Sequence, residues 1–307
     1  MVGALVHATV LLEEAVEALV VRPNGHYADG TFGRGGHSRL VLQRLDDDGL
    51  LTGFDKDAAA VEAGLLLASE DGRFSIERGS FVKMDKVFAG REKLDGILLD
   101  LGVSSPQLDD ADRGFSFMKN GPLDMRMDNS SGLSAAQWLD KAEVEEIVRV
   151  LKEYGEERFA RRIATAIVEH RQEARLETTQ QLVRLIEKAV PRKEKNKHPA
   201  TRSFQAIRIF INRELDELQQ VLEVSVSLLR QGGRLVVISF HSLEDRIVKH
   251  FIRDKALGER LPAGIPVQHE PNNAVLKKVG KAVFPSKAEI AANPRARSAV
   301  MRVAEKL

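Results

Sequence analysis

The stretch Y-A-D-G-T-F-G-R-G-G-H-S, Tyr27 to Ser38, gathers four glycines, a carboxylate and an imidazole within twelve residues. Glycines in such a turn let the backbone approach a ligand closely and adopt positive φ. An acidic residue, Asp55, follows Gly36 by 19 positions at the end of L-L-T-G-F-D. A carboxylate there can accept both hydroxyls of a ribose. Gly30, Gly33, Gly35 and Gly36 do not have the dinucleotide spacing G-x-G-x-x-G, and the Lys-Ser/Thr of a phosphate loop is missing. A nucleoside without a pyrophosphate therefore fits better. Taken alone, the turn could equally be a packing device. Asp29 and Asp55 at successive strand ends argue against that reading.

A third acid, Asp100, opens D-L-G-V-S-S-P-Q-L-D-D-A-D-R-G-F-S-F. It is placed to bind a ligand ammonium or a substrate amine. In S-F-H-S-L-E-D-R, Ser242 suits a helix N-cap, with Glu244 and Asp245 in the first turn. His241 is left over as a group that contacts substrate or moves a proton. In H-P-A-T-R-S-F-Q-A-I-R-I-F-I-N-R-E-L, Arg202, Arg208 and Arg213 fall on the polar side of a helix. They could grip phosphates or form an ordinary solvated face.

These residues need a scaffold that brings strand ends together. Strand signals at 26–32, 50–54, 74–78 and 95–101 alternate with helical segments at 36–45, 58–68 and 81–89. A short helix at 10–20, with Thr9 as its N-cap, precedes them. Right-handed crossovers then predict an α/β fold with a parallel sheet covered on both sides. D-G-I-L-L-D-L reads as a strand buried on both faces. Residues 102–129 are rich in Gly, Pro, Ser and Asp and read as a long ordered loop. Helical segments follow at 134–138, 143–152, 156–170 and 179–190. The domain reading is an inserted helical domain over 105–200, with 1–104 and 201–307 as the main domain. Phe204 to Leu229 predicts one amphipathic helix of about seven turns ended by Gln231-Gly232-Gly233. A fifth strand spans 234–240, a helix 242–255 and a late strand 296–304.

The chain has 307 residues, 43% of them hydrophobic and 30% charged, an ordinary globular balance. With no cysteines, disulfides and thiolate metal sites are excluded. No histidine spacing suggests a metal. The apolar N-terminus is interrupted by Glu13, Glu14 and Glu17 and is not a signal peptide. No run reaches membrane-span length, so a soluble, cytoplasmic protein is expected. The formal charge of +1 hides two basic stretches. One is P-R-K-E-K-N-K-H-P-A-T-R, with Lys193, Lys195 and Lys197. The other, Leu276 to Leu307, holds eight basic residues against two acidic ones. Both could face a polyanion or be solvated loops and tails.

The blocks HATVLLEEAV, DGTFGRGGHS, GILLDLGVSSPQLDDADRGFSF, GPLDMRMD, YGEERFARRIA, HPATRSFQAIRIFIN, GGRLVVISFHSLEDRIVK and NPRARSAVMRVAE run in one order along nearly the whole chain. In them the sequence resembles the bacterial 16S (small-subunit) ribosomal RNA cytosine-N4 methyltransferases, RsmH or MraW. The resemblance implies a class I (Rossmann-like) S-adenosylmethionine methyltransferase sheet with an inserted helical substrate-recognition domain. It implies cofactor contacts at Gly33, Gly35, Gly36, His37, Asp55, Phe81, Asp100 and Gln107, with Asp55 on the ribose and Phe81 against the adenine. The implied substrate is one cytidine of the decoding region, methylated on its exocyclic amine. Asp100 and the carbonyls of the Leu101 to Pro106 turn are the groups expected to accept the N4 hydrogens, with His241 as a second catalytic residue. Phe115, Phe117 and Phe240 are aromatic rings available to hold a base. Lys193, Lys195, Lys197, Arg202 and Arg208 are expected to contact RNA. The expected partners are small-subunit ribosomal RNA, free or in a 30S subunit, and a second copy of the chain. A dehydrogenase would require the missing G-x-G-x-x-G. A non-catalytic RNA-binding protein would leave the three acids unexplained. A DNA amino-methyltransferase differs only by the resemblance.

Overall fold

The computed structural model describes residues 9–191, 198–258 and 273–307. The chain forms two compact units, Met1–Gly102 with Leu215–Leu307, and Val103–Glu214.

The first unit holds seven strands: β1 (His26–Asp29), β2 (Leu50–Asp55), β3 (Phe74–Arg78), β4 (Leu94–Asp100), β5 (Leu229–Ser239), β6 (Leu276–Val283) and β7 (Val300–Lys306). Their order in the sheet is β3-β2-β1-β4-β5-β7-β6. The first five are parallel, and β7 runs antiparallel between β5 and β6. The period of two along each strand sends alternate residues to opposite faces. Leu98, Val236 and Ile238 pack on one side with Val16 and Leu19 of helix Leu12–Leu19. Ile97, Leu99, Leu235 and Val237 pack on the other with Leu218, Leu222, Val248 and Ile252. That is why the middle of β4, Ile97 to Leu99, is an unbroken apolar run: helices cover both of its faces.

Several expectations change. Thr9 does not cap the first helix. Leu11 stands at its N-cap in a left-handed conformation, φ 52°, and its N–H donates to Glu289 Oε1 at 2.8 Å. The basic C-terminal stretch is no tail, because it supplies β6, β7 and helix Lys287–Ala292. Arg302 is held by Asp245 at 2.7 and 3.0 Å. Exposed Lys277, Lys278 and Lys281 lie on the edge strand β6, where charge discourages pairing with another chain. The late strand begins at Val300 rather than at 296.

The second unit packs helices Ala135–Lys141, Val144–Gly155, Ala160–Glu173, Thr179–Ala189 and Ala200–Asn212 around one apolar core. It extends past 200 because Phe204, Ala206 and Ile207 belong to that core. The expected seven-turn helix is in fact two, Ala200–Asn212 and Glu214–Leu228. Arg213 takes φ 53° between them, a left-handed conformation that ends the first. The sequence hid this break because the apolar stripe continues through it.

The loop before these helices is tied down by side chains. Asn212 Oδ1 accepts from the Met127 N–H at 2.7 Å. Its Nδ2 donates to the carbonyls of Met125 at 2.7 Å and Arg208 at 2.9 Å. Met125 is fully buried at φ 62°, and Arg126 forks onto Asp124 at 2.8 and 2.6 Å. Replacing Asn212 with Leu leaves the Met125 carbonyl and the Met127 N–H without that partner. The expected loss is about 2–4 kcal/mol in chemical denaturation. An unchanged denaturation midpoint would show that the loop does not depend on this clamp.

Candidate active site

In the first unit the carboxyl ends of β1, β2 and β4 carry Asp29, Asp55 and Asp100. They do different work. Asp29 is buried and turned inward: Oδ1 accepts from the Thr31 N–H at 3.0 Å and Oδ2 from Ser38 Oγ at 2.7 Å. Burial raises its pKa, and these hydrogen bonds oppose the rise. Asp29 therefore shapes the turn. Thr31 Oγ1 in turn accepts from the Asp100 N–H at 2.6 Å, fastening the end of β4 to the same turn.

Asp55 holds the other side. Its Oδ2 accepts from the Gly33 N–H and its Oδ1 from the Asp57 N–H, each at 2.8 Å. Burial pushes its pKa up to about 6 against those two bonds, with Asp57 and Asp29 adding to the rise. Gly33 at φ 58° and Gly35 at φ 76° make the reversal that brings the chain from β1 into helix Gly36–Arg44.

His37 lies in the first turn of that helix, buried, with Nδ1 3.6 Å from Asp100 Oδ2. Burial lowers its pKa to about 4, so the ring is neutral and the pair is not an ion pair at neutral pH. Asp100 shifts the opposite way, well above the usual carboxylate range. Burial is the main cause, followed by the charges of Asp29 and Glu244. Among the described residues, Asp100 Oδ1 and His37 Nε2 are buried without a hydrogen-bond partner. A buried acceptor left open is a place for a ligand's ammonium or amine. S-adenosylmethionine offers an ammonium and two ribose hydroxyls, so this donor and acceptor set fits it.

Phe81 begins a short 3-10 turn after β3, capped by Ser80. Its Cβ lies 3.1 Å from where a side chain on Gly30 would begin. His241, not Ser242, caps helix Ser242–Leu257, its Nδ1 accepting from the Glu244 N–H at 3.4 Å. Its Nε2 stands 2.9 Å from Glu244 Oε1. While Nδ1 serves as acceptor, proton uptake there requires breaking the cap. Glu244 Oε2 accepts from the Phe240 N–H at 2.8 Å, so the Glu-Asp pair is more than a first-turn charge.

The second unit carries the remaining expected residues. Gln107 is buried, and its Oε1 closes a capping box with the Ser104 N–H at 2.9 Å. Arg208 is mostly buried and forked onto Glu214 at 2.8 and 2.9 Å, which corrects its placement on an open polar face. Arg202 donates to the Glu156 carbonyl at 3.3 Å. Phe115 is core beneath the Arg113 guanidinium, and Phe117 stacks on His198 at 4.8 Å. Lys193, Lys195 and Lys197 lie outside the described residues. Sequence reasoning missed Thr31, whose role depends on a contact between two strand ends, and read Glu244 only as a first-turn charge. Among the described residues no helix is long and apolar enough to cross a membrane.

A sheet of this order, with an antiparallel last hairpin and with Asp29, Asp55 and Asp100 at the carboxyl ends of β1, β2 and β4, is that of a class I S-adenosylmethionine-dependent methyltransferase. The model of the MraW methylase family matches residues 4–307, and the chain belongs to that family. It is 61% identical over 307 residues to the ribosomal RNA small subunit methyltransferase H of Thioalkalivibrio sulfidiphilus (strain HL-EbGR7), covering 98% of this chain and 97% of that protein. Solved structures with a distant likeness include an rRNA methylase from Streptococcus thermophilus, 12% identical, TM-score 0.41, covering 100% of this chain and 99% of that one. Another is fibrillarin from Aeropyrum pernix with bound S-adenosyl-L-methionine, 8% identical, TM-score 0.40, covering 95% and 73%.

The pKa of Asp55 is raised in the folded protein. Its folded value of about 6 lies above the ordinary 3.8. The group therefore favours the fold most below pH 3.8 and loses that contribution as pH rises through 6. The Asp55 carboxyl carbon is expected to titrate near 6 by NMR, with stability falling across pH 4 to 6 in a way that Asp55→Asn removes. A midpoint near 4 would mean that water reaches the carboxylate freely.

Proposed function

We propose that this methyltransferase modifies the exocyclic N4 amine of a cytidine in the decoding region of 16S (small-subunit) ribosomal RNA, in the cytoplasm. The observation that carries the reading is Asp100. Its buried, open carboxylate oxygen stands at the end of β4, beside the turn that suits a nucleoside. The name of the 61% identical relative supports the ribosomal substrate.

In this reading the backbone at Gly33, Gly35, Gly36 and His37 lines the cofactor, and Asp55 accepts the ribose hydroxyls. Phe81 lies against the adenine. When bound, S-adenosylmethionine supplies an electrophilic methyl group, so the protein acts chiefly by alignment. The lone pair of cytosine N4 is delocalised into the ring. Asp100 in its ionised form accepts an N4 hydrogen, favours a pyramidal nitrogen and takes up the proton that leaves. The burial and neighbouring acids that raise its pKa also make it a stronger base. His241 serves the site through its cap, which sets the start of helix Ser242–Leu257 and the Phe240 backbone. The target base must leave its stack to reach Asp100, and Phe240 is the ring nearest the end of β5 that can receive it.

RNA is held by basic residues outside this crevice. Exposed Lys277, Lys278 and Lys281 on β6 join the expected Lys193, Lys195 and Lys197, while Arg208 is committed to Glu214. The reading takes RNA within the 30S particle as substrate and two copies of the chain as the assembly. Transfer to free RNA alone, or a monomer by light scattering, would remove those two parts.

Labelled methyl transfer followed by mass spectrometry of the RNA is expected to find the label on one cytidine N4. Asp100→Asn should lower kcat by about 10²–10⁴-fold, as loss of a general base does. Normal turnover by that variant, or label on a ring carbon, would overturn the assignment. Charge reversal at Lys277, Lys278 and Lys281 should weaken RNA binding and flatten its dependence on salt by about one unit of slope per lost phosphate contact. An unchanged slope would leave those lysines as edge protection only.

A further inference from the structure

Glu217 lies outside the glycine-rich turn and the motifs at the strand ends. It sits on helix Glu214–Leu228, yet its carboxylate reaches the ends of two strands. Glu217 Oε2 stands 2.6 Å from Lys56 Nζ and 2.7 Å from Ser80 Oγ. Lys56 directly follows Asp55 at the end of β2, and Ser80 directly precedes Phe81 after β3. One oxygen therefore ties together the two segments that flank the proposed nucleoside position.

The tie is directional. The Ser80 hydroxyl donates to Glu217 and accepts from the Val82 N–H at 3.2 Å, so its rotor is fixed from both sides. Phe81 lies between those two residues and inherits their placement. The same strand ends are also joined by the backbone, where the Gly79 N–H donates to the Asp55 carbonyl at 2.7 Å. The Lys56 and Glu217 side chains are 19% and 17% exposed, so the pair is shielded from the screening that empties most surface ion pairs of energy. A surface helix has no structural need to spend a carboxylate on two loops at the ligand edge of the sheet. Apolar contacts of Leu218, Val221 and Leu222 already seat that helix.

We propose that Glu217 is a positioning residue of the cofactor site, which sets the width of the adenine slot by holding Lys56 and Ser80 in register. The inference rests on the assignment of Asp55 and Phe81 to the nucleoside. It adds that part of the affinity for the adenosine moiety resides in a helix that need not touch it. The slot is preorganised, so the free energy of ordering it is not taken from cofactor binding.

The test measures binding of S-adenosylhomocysteine and of 5′-methylthioadenosine to the full chain by calorimetry. The two probes share the adenosine, and only the first carries the amino-acid end. Glu217→Ala should weaken both by the same factor, about tenfold, as expected for losing one charge-assisted contact from the slot. In turnover it should raise the KM for S-adenosylmethionine more than it lowers kcat. Glu217→Gln, which keeps an acceptor for Ser80 but loses the charge facing Lys56, should recover part of the loss and guards against a variant that fails to fold. Asp55→Ala is run beside them. If Asp55→Ala loses binding while both Glu217 variants bind within about twofold of the unaltered chain, Glu217 is only a helix anchor and the inference falls. Weakening of S-adenosylhomocysteine alone would place its effect at the amino-acid end, which also overturns it. If Asp55→Ala binds normally, the nucleoside assignment falls first and the inference with it.

Discussion

The buried carboxylate of Asp29 is the constraint on which the ligand edge of the sheet depends. It is desolvated, which works against its charge, and it is kept by donors from the turn that follows it and from the first turn of helix Gly36–Arg44. Those bonds place Thr31, whose hydroxyl then fixes the Asp100 backbone across the strand boundary. Asp55 closes the same turn from β2 through the Gly33 N–H. A glycine-rich segment would otherwise sample many conformations, and its entropy would oppose any tight ligand. Three acids at adjacent strand ends thus divide the labour. One builds the turn, one braces it, and one is left with an open oxygen.

The arrangement also separates the protonation behaviour of neighbours. His37 and Asp100 are 3.6 Å apart, yet burial drives both toward their neutral forms. A protonated His37 would neutralise Asp100 and remove its basicity. Keeping the imidazole neutral leaves Asp100 without a cationic partner inside the protein, so a cationic ligand is what draws it into its ionised form. Such a group favours a cationic or amine-bearing ligand, and a sulfonium cofactor with an ammonium group has that character.

The sheet was legible in the sequence where strands are buried on both faces. D-G-I-L-L-D-L announces itself by composition, whereas F-S-I-E-R, a largely exposed edge strand, is marked by its boundaries and spans the residues read for it. The glycine turn and the acids could be found because they sit at strand ends. What escaped was whatever depends on a neighbour distant in sequence. β6 carries lysines because it is an edge, so it lacks the apolar alternation of an inner strand. The break at Arg213 lies within an unbroken apolar stripe, and only its left-handed backbone reveals it. His241 looked spare because a histidine is an uncommon cap and a serine follows it.

The second unit shows the same logic in a different material. Its long loop lacks regular structure, yet Asn212 and Arg113 supply to that backbone the bonds a sheet or helix would have supplied. Asn212 is the last residue of its helix, and the turn out of that helix is Arg213 in its left-handed state. Ending the helix at that point leaves the amide side chain to serve the loop. The backbone bonds of Met125, itself left-handed and buried, hold the strained segment in one arrangement.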